Sequence, residues 1–123
     1  MVTQYNNQAD SMGFHADDEV AMGPQPFLAS LTLGDTRPFV FRHNITRQKI
    51  SCTLSSGALL LMLGASLQSN WKHSLPKLQE PVCLRWNLSF RHHISQEIMQ
   101  SIFMYKKYNP SMSFQQILNK FLV

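Results

Sequence analysis

"RWNLSFR", residues 85 to 91, reads as one strand with two unlike faces. Successive side chains of an extended chain alternate, so Arg85, Asn87, Ser89 and Arg91 point one way and Trp86, Leu88 and Phe90 the other. The apolar face is expected to pack into a core. The polar face then puts two guanidiniums on a strand that a closed β-fold encloses, where unpaired charge is costly. The acids nearest in sequence do not supply partners. A small dicarboxylate would, because guanidinium grips carboxylate bidentately. The competing reading is an edge strand with two solvated arginines.

Working back from that strand, residues up to 94 keep a β pattern. "FLASLTL" (27 to 33) sets Phe27, Ala29, Leu31 and Leu33 on one face and Ser30 and Thr32 on the other. A Gly-Asp turn leads into "RPFVFRH" (37 to 43), and the polar link "NITRQ" leads into "KISCTL" (49 to 54). "SSG" (55 to 57) then turns the chain into "ALLLML" (58 to 63), read as a strand buried on both faces. Many short strands with turns between them argue for a sandwich or barrel. After residue 94 the period becomes helical. Ser95 reads as an N-cap, Glu97 falls in the first turn, and Ile98, Ile102 and Tyr105 share a stripe. Phe114, Ile117, Leu118 and Phe121 repeat the pattern, so two short amphipathic helices are expected to dock on the β-core or on a partner.

At 123 residues and 44% apolar content the chain is a single globular domain, without room for a second. Its opening lacks a basic region followed by an apolar run, so no signal peptide is expected. The longest apolar stretch is far short of a membrane span of roughly 20 residues, and no membrane partner is expected. Cys52 and Cys83 could form one disulfide but are read as reduced, buried thiols of an intracellular protein, expected in the nucleus if eukaryotic and in the cytoplasm if bacterial or viral. All 11 Lys and Arg follow residue 36, so the body of the domain is more basic than its net +4 and favours a polyanionic partner.

The acids are concentrated at the other end, where "HADDE" sets Asp17, Asp18 and Glu19 behind His15. His15 and Asp17 share one face of an extended strand and could hold one divalent metal. H-x-D alone is a weak motif, and a surface His-Asp pair would look the same. His73, in "NWKHSLP", lies where a barrel could return it to that pair. His43, His92 and His93 sit in polar or basic surroundings and make poorer ligands.

Taken together, H-x-D, a distal histidine and R-x-N-x-[ST]-x-R on a late strand resemble the AlkB family of Fe(II)/2-oxoglutarate dioxygenases, over about residues 3 to 91. "ASLTLGDTRPFVFRH" and "NWKHSLP" are most similar to the members that repair alkylated DNA. The resemblance implies a double-stranded β-helix (jelly roll) for residues 1–94, with 95–123 a helical extension. It implies that His15, Asp17 and His73 hold Fe(II), and that Arg85 meets the distal carboxylate of 2-oxoglutarate. Tyr5, Asn87, Ser89 and Arg91 would line the same cofactor pocket. Asp18 and Glu19 match acids that face the damaged base, and "RHNITRQK", with Arg42, Arg47 and Lys49, matches a hairpin that grips phosphate.

The implied activity is oxidative demethylation of alkylated nucleobases in DNA or RNA, with O2 consumed and formaldehyde, succinate and CO2 released, by a monomer. Thr3 stands where the family usually has asparagine, and Ser89 where threonine is commoner. The resemblance implies a nucleotide-recognition lid, which supplies stacking side chains, ahead of the first strand; because the sequence opens almost at that strand, the chain is read as a fragment, a truncated gene product or a minimal member. The alternatives left open are a catalytically weak nucleic-acid-binding remnant and the same oxidation acting on RNA or protein.

Overall fold

The computed structural model describes residues 1–18, 22, 26–91, 93, 95–113, 116, 117 and 120. The elements in chain order are β1 (Val2–Tyr5), β2 (Met12–His15), β3 (Phe27–Gly34), β4 (Arg37–His43) and β5 (Lys49–Leu54). They continue with β6 (Leu59–Leu63), α1 (Ala65–Asn70), β7 (Trp71–Leu75), β8 (Arg85–Arg91) and α2 (Gln96–Tyr108). Two four-stranded antiparallel sheets result, one ordered β1-β8-β3-β6 and the other β2-β7-β4-β5. The chain passes between the sheets at nearly every connection, which is the jelly-roll architecture. Among the described residues no helix is long and apolar enough to cross a membrane.

Alternation and turn chemistry account for the strands. β4, β5 and β8 occupy the bounds that their period-2 patterns predict, and β3 runs one residue longer, to Gly34. Gly34 has φ 96, and a Cβ there would sit 2.3 Å from the Leu84 carbonyl oxygen. Only glycine fits the approach of that turn to the start of β8.

The core lies between the inner faces, where Tyr5, Met22, Leu28, Phe39, Leu54, Met62 and Leu75 form one buried cluster. Arg37 is also wholly buried. Its guanidinium donates to the carbonyls of Asn7 (3.1 Å), Asp10 (3.0 Å) and Pro76 (2.6 Å). It thereby ties the β1–β2 connection to the chain leaving β7.

Two expectations about burial fail, for one physical reason. The apolar run of β6 is not buried on both faces: Leu59, Leu61 and Leu63 are 58%, 49% and 57% exposed. The apolar side of β8 does not enter the core either, since Trp86 and Phe90 are exposed. The inner face along β8 and the adjoining part of β3 is polar instead, with Ser30, Thr32, Arg85 and Ser89 buried. Those side chains face a cleft between the sheets, so alternation sends their apolar neighbours outward. β6 is an edge strand as well. An apolar run without polar alternation signals a strand but not how many of its faces are covered.

The cysteines are both free, but only Cys52 is partly buried; Cys83 is exposed. Ser95 caps α2 as its sequence indicates, accepting from the Ile98 N–H at 3.3 Å. Met99, Ile102 and Ile117 are buried in a second cluster, separate from the β-core, with Ile98, Tyr105 and Met112 against it. Phe114, Leu118 and Phe121 lie outside the described residues.

Candidate metal and anion site

His15 and His73 are 58 positions apart in the chain, yet the antiparallel pairing of β2 with β7 sets them directly opposite one another. Their ring centroids are 4.3 Å apart. Phe39 stacks on the His73 ring, with centroids 5.3 Å apart and planes at 22°. The His15 Nδ1 lies 2.8 Å from the Gly13 carbonyl oxygen. An Nδ1–H donating there leaves Nε2 as the free electron pair, the arrangement usual for a histidine that binds metal.

Asp17 completes the group, though not as alternation along a strand suggests. β2 ends at His15, and Asp17 lies just past it. Its backbone N–H donates to the Gln68 Oε1 at 3.0 Å. Its carboxylate meets the His73 Nε2 at 3.3 Å and also pairs with Arg91. Burial on its own would raise the Asp17 pKa. The hydrogen bond from His73 and the charges of Arg91, His73 and His15 outweigh that, so the carboxyl is held below its ordinary value. One ligand atom from each of His15, Asp17 and His73 lies within 4.8 Å of the others.

The inner face of β8 forms the opposite wall. Arg85 is 1% exposed. It donates to the Thr32 hydroxyl at 2.9 Å and the Asn87 Oδ1 at 3.4 Å, and it lies 5.4 Å from the centre of the Tyr5 ring. Among the described residues its buried Nε has no partner and no carboxylate pairs with it. Burial accordingly lowers its pKa, partly offset by Tyr5. Burial raises the Tyr5 pKa in turn, against the pull of Arg85 and Arg37.

Ser30 donates to the Asn87 Oδ1 (2.7 Å) and the Asn87 Nδ2 donates to the Ser89 hydroxyl (2.9 Å), so this wall is a preset rail of polar groups. Thr3, Tyr5, His15, Asp17, His73, Arg85, Asn87, Ser89 and Arg91 line one cleft. The expectation that both arginines lack an acid is corrected for Arg91, which has Asp17.

The residues expected at the substrate are more dispersed. Asp18 is exposed, and Glu19 lies outside the described residues. Arg42, Arg47 and Lys49 do belong to one β4–β5 hairpin, in which Arg42 opposes Lys49. Arg42 stacks over Phe14, 4.0 Å from its ring centre, and Arg47 occupies the turn at φ 63. Lys72 of β7 opposes Arg42 from the other side, which adds a cation to this surface. Its signal was available, because in "WKHSL" Lys72 must face away from His73. Gln68 and Arg37 offered no such signal: each acts on chain segments far away in sequence.

Two imidazoles and a carboxylate set in a β-sandwich, beside a buried arginine, make a jelly roll with a candidate site for a metal and an organic anion. The chain belongs to the 2OG-Fe(II) oxygenase superfamily, whose family model matches residues 1–91, and within it the chain is AlkB-like. It is 36% identical over 96 residues to the human alpha-ketoglutarate-dependent dioxygenase alkB homolog 3, covering 71% of this chain and 33% of that protein. To the human DNA oxidative demethylase ALKBH2 it is 34% identical over 99 residues, covering 74% of this chain and 38% of that protein. The corresponding figures for ALKBH2 of Arabidopsis thaliana are 31% over 114 residues, 74% and 36%. The chain thus spans about a third of the length of the curated relatives it matches.

The donor set fits the metal that the family implies. Two neutral imidazoles and one ionised carboxylate suit Fe(II) and leave coordination positions open. The carboxyl's lowered pKa favours an ionised ligand, and the Nδ1 contact of His15 turns its Nε2 toward the group.

Proposed function

We propose that the chain is an Fe(II)- and 2-oxoglutarate-dependent oxygenase that demethylates alkylated nucleobases of DNA or RNA. Residues 1–94 would form its catalytic core, and 95–123 a helical extension. The observation that carries this reading is the pairing, in one cleft, of the His15–Asp17–His73 cluster with a buried Arg85 that has no acid partner among the described residues. A metal-binding jelly roll with another task has no need of that arginine.

In this reading His15, Asp17 and His73 hold the metal, which when bound supplies the oxidising chemistry that consumes 2-oxoglutarate and O2. Arg85 receives the distal carboxylate of the cosubstrate, a bidentate contact whose gain is large because the guanidinium is already desolvated. Tyr5, Asn87 and Ser89 orient that carboxylate by hydrogen bonding, and Arg91 keeps the neighbouring region anion-seeking while holding Asp17 ionised. Asp18, at the exposed end of the ligand loop, faces the base, which is often cationic when alkylated. Arg42, Arg47, Lys49 and Lys72 take the phosphates and set the strand's position without reading its sequence.

The products are succinate, CO2, formaldehyde and the restored base, and the enzyme acts as a monomer. The names of the relatives supply the substrate class: ALKBH2 is a DNA oxidative demethylase. The test is multiple-turnover incubation with Fe(II), 2-oxoglutarate and an N-methylated oligonucleotide. Formaldehyde and succinate released in equal amounts, and only with the methylated strand, support the reading. Succinate release that ignores the oligonucleotide contradicts the proposed substrate.

A further inference from the structure

We propose that Gln68 is the positioning residue that aims Asp17 at the metal, an inference that rests on the metal site just described. Asp17 lies beyond the last paired residue of β2, and the β2–β7 register is irregular between Met12 and His15. Sheet hydrogen bonding therefore does not set its backbone. Among the described residues its backbone is held by the Gln68 side chain, 51 positions away, whose Oε1 accepts the Asp17 N–H at 3.0 Å. Gln68 is 3% exposed and projects from α1. That short helix is itself fixed at its far end: Asn44 donates from its backbone to the Asn70 carbonyl (2.8 Å) and from its side chain to the Ser69 carbonyl (2.8 Å). Gln68 is thus a fixed point, anchored to the β4–β5 hairpin.

The other half of the amide argues against a role in stability alone. The Gln68 Nε2 is buried with no hydrogen-bond partner among the described residues. A buried, unsatisfied donor opposes folding, and reversing the amide would set that donor against the Asp17 N–H. A methionine of similar volume would remove the unsatisfied donor at the loss of one bond, leaving stability nearly level. What methionine cannot supply is an acceptor for the Asp17 N–H. Glutamate can, because a carboxyl oxygen accepts in either ionisation state.

The experiment compares the wild-type chain with Gln68→Met and Gln68→Glu, titrating each with cobalt(II) alone and following bound metal by equilibrium dialysis and the visible cobalt bands. Thermal unfolding of each metal-free protein is measured alongside. Gln68→Met is expected to bind cobalt at least about 10-fold more weakly, and Gln68→Glu within about threefold of wild type, as for other partners that orient metal ligands. Metal-free Gln68→Met should unfold within a few degrees of wild type. Equal affinity in wild type and Gln68→Met overturns the inference, as does an equal loss in Gln68→Glu. That second arm decides the matter even if Gln68→Met does not fold. A wild-type chain that takes up no cobalt overturns the metal site, and this inference with it.

Discussion

Replacing Arg85 by methionine separates what this residue does for the fold from what it does for a ligand. The guanidinium is buried with one unsatisfied nitrogen and, among the described residues, no acid partner. Its compensation consists of hydrogen bonds to Thr32 and Asn87 and the Tyr5 ring. Two such bonds contribute roughly 1 kcal/mol each, more where the donor is charged. The ring adds about 0.5 to 2 kcal/mol. Desolvating the charge costs several kcal/mol, so burial outweighs compensation and methionine should stabilise the ligand-free chain by about 1 to 3 kcal/mol.

The same substitution should erase the stabilisation expected from 2-oxoglutarate in wild type under the proposed function, which at a hundredfold excess over its dissociation constant is about 2.7 kcal/mol. Denaturant unfolding of both proteins, with manganese(II) and with or without 2-oxoglutarate, reads both effects. A methionine variant that is less stable than wild type without ligand, yet gains as much from 2-oxoglutarate, would refute the reasoning.

Arg85→Lys keeps the charge but not the fork, and should weaken 2-oxoglutarate binding by about 1.5 to 3 kcal/mol while metal affinity holds, as calorimetry can check. Changing Arg42, Arg47 and Lys49 together to glutamine should weaken binding to every oligonucleotide sequence and flatten the log–log salt dependence by roughly one unit per lost phosphate contact at most. An unchanged slope would leave the hairpin a solvated loop. Asp35 gives a pH test. Its carboxylate accepts the Cys83 and Thr36 N–H groups at 2.6 and 2.7 Å, and these bonds hold its pKa below the ordinary value. The stabilisation it contributes is therefore complete above about pH 4, the unfolded value, and is lost as pH falls through the folded one. The stability gap between wild type and Asp35→Asn should narrow over that acid range, and a gap independent of pH would exclude the effect.

The strands were legible where alternation and a turn coincided. β4 has polar links at both ends, and β8 has a strict period of two, so their bounds follow from residue types. The enclosure of Arg85 followed from its strand, but the exposure of the apolar faces was not legible: an apolar run looks the same whether one face or both are covered, and only the second sheet reveals that Ser30 and Thr32 also face inward. α1 was missed because its start lacks a cap signal: Gly64 makes no side-chain cap bond, and no acid stands in the first turn. In the candidate site, the His15–Asp17 spacing was visible as a local pattern. The approach of His73 depended on the β2–β7 register, and the Gln68 contact on a helix that the sequence did not announce.

The central claim is that His15, Asp17 and His73 hold a metal beside an anion pocket built on Arg85. Its most direct test is anaerobic titration of Fe(II) and then 2-oxoglutarate into the wild-type chain and into His73→Ala, with bound iron and the visible metal-to-ligand charge-transfer band measured together. Wild type should take up one iron per chain and develop the band as 2-oxoglutarate is added, whereas His73→Ala should remain folded and do neither. A wild-type protein that shows no band with excess 2-oxoglutarate, or a His73→Ala protein that keeps tight iron, contradicts the account.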